Sequence, residues 1–348
     1  MRLSPGQLNR TLWVRQGLTA RRTRSVHQVC ADLVGLQAQE NRSPFLGLAA
    51  RVDGFDPGDV TRGLESRSLV RMICLRGTIH LLTAEDALSI RGWTLPVQEQ
   101  ERQVAQNLRE VRDVSLEEFR PRVRAALAGG PLPVKRLGEA LAASYVGASP
   151  TALGGLARVA EPLVQVPPRG TWRGSGGVVY DCVDTWVGSP PTEPDPASLV
   201  RRYLRAFGPA SPADITTWSG VPGTAEVVAA MPDLERHEDE RGRVLLDVAD
   251  GVHEAADAPV PVRLLGIYDN LWLSHAGRDR VTTPEARKEW AGSNGGLACT
   301  VFVDGWLTGL WRVEGDRVSD VRLFRTLTRA ERAGLDEEVG RVEELLGR

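Results

Sequence analysis

The sequence predicts an α+β fold. Three tandem copies of a helix–helix–helix–hairpin unit are followed by an antiparallel β-rich segment that closes with a helix. Three observations carry this expectation. Apolar residues at helical spacing give way repeatedly to short alternating stretches, in the same order each time. Gly/Pro clusters punctuate the copies. Beyond about residue 260 the chain turns to alternating stretches separated by Asp-Gly and Glu-Gly-Asp turns.

The clearest copy runs from Leu199 to Val248. Leu199–Phe207 is a helical pattern ended by Gly208-Pro209, and Ser211-Pro212 supplies an N-cap with Pro at the first helical position. Thr224–Met231 is the third helix, and Leu234–Val248 alternates around Glu240-Arg241-Gly242 as a hairpin. This is the order of a winged helix, a helix-turn-helix variant. Upstream, Leu116–Leu127, Val134–Ala143 and Pro150–Val159 precede a hairpin over Leu163–Val183. A less regular copy places helices at Pro5–Gln16, Val26–Leu36 and Pro44–Val52, an added helix at 56–67, and strands within Leu69–Leu82. Strands at Arg263–Tyr268, Cys299–Val303, Trp306–Arg312 and Arg317–Phe324 and a helix at Ala330–Leu346 complete the chain. The expected division is 1–112, 113–188, 197–258 and 259–348, with the Pro-rich stretch Ser189–Pro196 as a linker.

At 348 residues the chain is too long for one small core. It contains no apolar run of roughly 20 residues and no apolar leader, so a cytoplasmic protein without a membrane partner is expected. Cys30, Cys74, Cys182 and Cys299 have no paired spacing and read as buried free thiols. His27, His80, His237, His253 and His275 show no ligand spacing, so no metal is expected. The chain lacks a Walker loop, a Gly-rich dinucleotide turn and a nucleophile elbow, which excludes the common nucleotide-cofactor and serine-hydrolase classes. The net charge of −2 argues against an indiscriminate nucleic-acid coat. Apart from Lys135 and Lys288, every Lys/Arg position is arginine. That leaves few amines for Schiff-base chemistry and many planar guanidinium groups that suit phosphate.

The stretch Leu36-Gln37-Ala38-Gln39-Glu40-Asn41-Arg42-Ser43-Pro44 lies where a helical apolar pattern becomes a polar turn. Pro44 disfavours helix at Ser43. On an extended exit, Gln37 and Gln39 point the same way. Their neutral amides, with two donors and an acceptor each, can orient a water or simply satisfy backbone at a helix end. Arg76, Thr78 and His80 would share one face of a strand, suited to phosphate or a flipped nucleotide, or else His80 satisfies a carbonyl. His275-Ala276-Gly277-Arg278-Asp279-Arg280 reads as an exposed basic turn, either a phosphate clamp or a solvated loop. Arg169 and Arg173 lie among glycines in the second hairpin, suited to close approach to DNA or to a flexible loop.

Several of these features together resemble the AlkZ/YcaQ-type winged-helix DNA glycosylases. They are Gln37-Ala38-Gln39, Arg76-Gly77-Thr78-Ile79-His80, the tandem helix–hairpin order, Leu264–Trp272 and Val303–Gly309. The resemblance spans nearly the whole chain. The two-glutamine form is more similar to the AlkZ branch, which protects a producer of azinomycin, than to the YcaQ branch, where the second position is aspartate. It implies three winged helices in a C-shaped scaffold, Gln37 and Gln39 as the catalytic pair, and a DNA-probing hairpin, placed around 269–282. It also implies excision of alkylated bases and unhooking of interstrand crosslinks in double-stranded DNA. A monomer without cofactor is expected. Asn41, Arg42, Ser43, Arg76, Thr78, His80, Arg169, Arg173, His275, Arg278 and Arg280 are the expected DNA-binding residues.

The residues suit that chemistry. An N7-alkylated purine is cationic and already a good leaving group. Amides that position water can then suffice without a strong acid. Glu40 is a second-rank candidate for stabilising the sugar cation. A DNA-binding regulator without chemistry and a drug-sequestering protein are the competing readings.

Overall fold

The computed structural model describes residues 1–291 and 298–348. The protein is mixed α+β and packs as two compact units. One comprises Met1–Pro57, Ala197–Trp218 and Gly223–Arg348; the other comprises Gly58–Pro196 and Ser219–Pro222. Residues 292–297, part of the expected C-terminal segment, lie outside the described residues.

In the first unit, helix Pro5–Arg15 opens with a capping box between Ser4 and Gln7 and buries Leu8, Leu12 and Trp13. A second capping box, Ser25 with Gln28, starts Val26–Asp32. This helix stops short of the Leu36 expected for it. Gly35 N–H bonds back to the Cys30 carbonyl at 2.8 Å and Val34 N–H to Ala31 at 3.3 Å. This is the paired closure of a Schellman end. Strand Leu36–Gln37 follows.

Helix Ser43–Ala49 includes Ser43, contrary to the expectation drawn from Pro44. The tight turn before it offsets the proline penalty: Ser43 N–H meets the Glu40 carbonyl at 3.3 Å and its hydroxyl donates to Glu40 Oε2 at 3.1 Å.

Helices Pro196–Phe207, Pro212–Ser219 and Thr224–Ala229 precede antiparallel strands Glu235–Asp239 and Val244–Asp247. Arg2–Leu3 adds to the first of these strands in parallel. The C-terminal sheet is antiparallel, in the order Arg263–Leu265, Cys299–Val303, Trp306–Glu314, Arg317–Leu323. Asp304 (φ 50°) and Gly305 (φ 79°) make the tight turn their sequence suggests. Helix Arg329–Gly347 begins at a third capping box, Thr328 with Glu331.

In the second unit, strands run in the order Ile79–Thr83, Leu69–Ile73, Leu163–Gln165, Val179–Cys182, Leu132–Pro133, antiparallel throughout. Leu116–Leu127, Val134–Ala142 and Pro150–Ala160 bury Phe119, Val123, Leu137, Leu141, Leu153 and Leu156 in one core. Two helices, Ala84–Trp93 and Leu95–Val104, occupy a stretch for which the sequence reading named no element. All four cysteines are buried and form no disulfide. Among the described residues no helix is long and apolar enough to cross a membrane.

Candidate active site

The glutamine motif is delivered by a strained turn. Val34, at φ 53°, holds a left-handed conformation that β-branched residues rarely adopt, and Gly35 follows at φ 88°. Together they redirect the chain from helix to strand. Gln37 is buried at 6 % exposure, whereas Gln39 lies on the bend that follows and is exposed. The two amides therefore meet different surroundings.

Distant residues hold this turn. Asn270 Nδ2 donates to the Gly35 carbonyl at 2.8 Å. Its neighbour Asp269 takes Arg51 in a bidentate pair at 2.8 and 2.9 Å, with both side chains 2 % exposed. Arg51 also donates to the Gly47 carbonyl, the Gln16 carbonyl and Gln16 Oε1, so all five of its donors are used. Asp269 caps helix Asn270–Leu273 through Leu271 N–H. On the other side, Arg42 Nη1 donates to the Gly315 carbonyl at 2.9 Å, tying the segment after the glutamines to the tip between Trp306–Glu314 and Arg317–Leu323. Asn41 and Arg42 are half-buried and Ser43 is buried. Burial pushes the Cys299 thiol up to about 12, and the Glu40 carboxylate adds in the same direction.

The segment 269–282 is not the hairpin expected there. It is a short helix followed by a turn. Nor is 275–280 an exposed basic turn. His275 is 4 % exposed and bonds through Nε2 to the Phe207 carbonyl at 3.0 Å. Burial and Arg280 hold its pKa well below the usual histidine value. Arg280 is half-buried; its own carbonyl accepts from Asn9 Nδ2 at 2.6 Å. Arg278 lies over the rings of Trp272 and Trp290, 5.3 and 5.7 Å from their centroids. The Phe207 carbonyl for His275, Asp214 for Arg280 and the Trp272 and Trp290 rings for Arg278 draw these side chains inward, an effect that a local run of polar residues does not reveal.

In the second unit, Arg76 is not on a strand. It occupies a one-turn helix, Leu75–Gly77, at φ 54°. Only His80 of the expected trio lies in strand Ile79–Thr83, and Thr78 is the extended residue before it. Arg76 and His80 nevertheless meet: Nη2 to Nε2 is 3.2 Å. His80 Nδ1 is 3.1 Å from the Thr78 carbonyl. A carbonyl only accepts, so Nδ1 carries the proton and Nε2 accepts from Arg76. Burial first, then Arg76, lowers the His80 pKa to about 3, so the ring is neutral and serves as a positioned acceptor. Gly220, at φ 76°, lets backbone approach here: a Cβ would come within 2.9 Å of Arg76 Cα.

The loop between Leu163–Gln165 and Val179–Cys182 carries half-buried Arg169 and exposed Arg173. Arg169 donates to the Gly176 carbonyl at 3.2 Å, and Arg173 sits at φ 56°. Gly170 (φ 88°) crosses directly over buried Arg71, where a Cβ would fall 2.2 Å from Cδ. Sequence reasoning missed Asp269, Asn270, Arg51 and Gly315 as supports. The signals were the segment Leu264–Trp272, whose last residues were expected to begin a DNA-probing hairpin, and the Glu314-Gly315-Asp316 turn.

A mixed fold with an antiparallel C-terminal sheet is shared with a solved structure. A family model described as DNA glycosylase AlkZ-like matches residues 30–345. The chain belongs to that family and is a DNA N-glycosylase acting in DNA repair. One similar protein is a Streptomyces sahachiroi interstrand DNA cross-link repair glycosylase, 26 % identical over 329 residues, covering 86 % of this chain and 85 % of that one. The solved structure of Streptomyces sahachiroi DNA glycosylase AlkZ superposes with a TM-score of 0.82 at 22 % identity, over 100 % of this chain and 98 % of that one, a likeness of fold.

Proposed function

We propose that this glycosylase excises cationic N7-alkylated purines from double-stranded DNA, unhooks interstrand crosslinks, and serves repair or self-resistance to a genotoxic natural product. Gln37 and Gln39 carry the chemistry. The observation that supports this most is that Gln37 leaves its helix on a strand whose approach is braced by Asn270 and the buried Arg51–Asp269 pair. Such bracing is what a positioning role requires. Gln37 steadies the sugar cation from the buried side, and Gln39, at the exposed bend, orients water. Glu40, already engaged by the Ser43 hydroxyl, ranks second.

Arg42, Arg169, Arg173 and Arg278 supply phosphate contacts; Asn41, Arg76, Thr78 and Arg280, half-buried, follow. Ser43, His80 and His275, all buried, shape the backbone that faces DNA. Three winged helices, the four segments 1–112, 113–188, 197–258 and 259–348, a monomeric state and a cytoplasmic location belong to the same reading. The helix–helix–helix–strand order over Pro196–Asp247 supports the repeat.

The test is single-turnover base release from a duplex with one defined N7-alkylguanine. Release with an intact abasic strand supports a monofunctional glycosylase. Borohydride-trapped enzyme–DNA adduct that disappears in Lys135→Ala or Lys288→Ala would overturn that part. Binding without release would favour a regulator, and affinity for the free alkylator alone would favour sequestration. Uracil excision as fast as N7-methylguanine excision would refute the neutral-amide mechanism.

A further inference from the structure

The sequence spacing of His237 and His253 gave no reason to expect a metal. The fold brings them together. His237 sits on strand Glu235–Asp239, Asp247 ends strand Val244–Asp247, and His253 lies on the loop beyond. One ligand atom from each of His237, Asp247 and His253 lies within 4.8 Å of the others. The imidazole rings are 5.1 Å apart between centroids, edge to face.

The hydrogen bonding of this cluster is incomplete. His237 is 5 % exposed, yet neither of its ring nitrogens has a hydrogen-bond partner, and the same is true of His253 Nδ1. A buried imidazole left this way is costly unless something binds it. Glu235 Oε2 stands 3.5 Å from His237 Nε2, and Asp247 Oδ2 stands 3.2 Å from His253 Nε2.

We propose that His237, His253, Asp247 and Glu235 bind one divalent transition-metal ion of the zinc class. Tetrahedral zinc needs donors roughly 3.3 Å apart, given bonds of about 2.0–2.2 Å. The Asp247–His253 separation of 3.2 Å meets this already, and a His237 ligand atom lies within 4.8 Å of both. The choice of metal follows from Arg15, which pairs with both Asp247 oxygens at 2.7 and 2.8 Å. That guanidinium offsets the carboxylate charge that hard cations depend on. Two neutral imidazoles therefore dominate, and imidazole selects zinc-class ions over magnesium or calcium. The ion would staple the Glu235–Asp247 hairpin to the loop at His253, a structural role independent of the glutamine chemistry.

The test uses the full chain, stripped with chelator and titrated with zinc against a chromophoric competitor, with cobalt as a spectroscopic probe. One ion per chain, tetrahedral cobalt bands and a higher thermal midpoint with zinc are expected. His253→Ala, on a half-exposed loop, should fold normally and lower affinity by at least about tenfold, since even outer-shell losses cost that much. His237→Ala should do the same. Absence of stoichiometric binding, or binding and stabilisation unchanged by His253→Ala, would overturn the proposal. Neither result depends on base excision.

Discussion

The turn at Gln37–Gln39 and the segment Arg76–His80 are both short polar stretches bordering strands, but they are held in place in different ways. Arg76 and His80 are four residues apart and hold each other, with Thr78 between them completing the set. The glutamine turn is held by Asn270 and, behind it, by Asp269 on Arg51, more than two hundred residues away in sequence. The first contact is made within residues 76–80. The second exists only after the C-terminal segment has packed. The glutamine turn should therefore be sensitive to distant substitutions that leave the histidine segment untouched.

The largest effect is expected at Asp269. Asp269→Ala strands Arg51 with a buried, uncompensated charge, which typically costs about 3–5 kcal/mol. Chemical denaturation measures it. A loss below about 1 kcal/mol would mean that the pair is not the brace described above.

Next come the glutamines. Gln37→Ala and Gln39→Ala should each slow single-turnover excision by about five- to a hundred-fold, the equivalent of roughly 1–3 kcal/mol. DNA affinity and thermal midpoint should stay near those of the parent, because the interactions strengthen only in the transition state. Normal excision by both variants, or slow excision explained by unfolding, would leave the turn a purely structural helix end.

The histidine segment makes an opposite kind of prediction, in stability rather than rate. His80 is neutral in the fold, with its pKa lowered to about 3 from an ordinary value of 6.5. The unfolded chain therefore takes up a proton that the folded one refuses. Stability is fully present above about pH 6.5 and falls as pH drops below it. His275, shifted the same way, adds to the acid loss. His80→Gln should flatten the acid side of a pH–stability profile without moving its alkaline side. An unchanged profile would show that the ring is not held neutral by its surroundings.

This contrast also explains what is legible in the sequence. Leu116–Leu127 has the bounds its sequence predicts, because an amphipathic pattern with Ser115 as its cap is written locally. So does Cys299–Val303, an apolar run between a Gly-rich polar stretch and an Asp-Gly turn. The end of Val26–Asp32 escapes the sequence because Val34 takes a left-handed conformation that its residue type opposes. Arg76 departs from its expected strand for the same reason, its φ of 54° breaking the strand that period-two spacing suggests. The inward set of His275 depends on Phe207, far away in the chain, and the meeting of His237 with His253 on the path of the chain beyond a hairpin, and no local pattern encodes either. Family resemblance singles out the glutamines as candidates, but says nothing of what braces them.

The smallest effect separates arginines by environment. Removing one arginine–phosphate pairing with B-DNA lowers the salt dependence of binding by about 0.9 in log–log slope. Arg173 is exposed on its loop, so Arg173→Gln should reduce the slope by close to that amount. Arg278 already rests on Trp272 and Trp290, and Arg280 turns partly inward, so reaching DNA would first require them to leave those neighbours. Arg278→Gln with Arg280→Gln should therefore change the slope by less than two full phosphate pairings would. A full reduction of about 1.8 would mean that the turn opens on binding, and that its inward set belongs to the free protein alone. No change in slope or affinity would remove Arg278 and Arg280 from the DNA-binding set and leave phosphate pairing to arginines such as Arg42, Arg169 and Arg173.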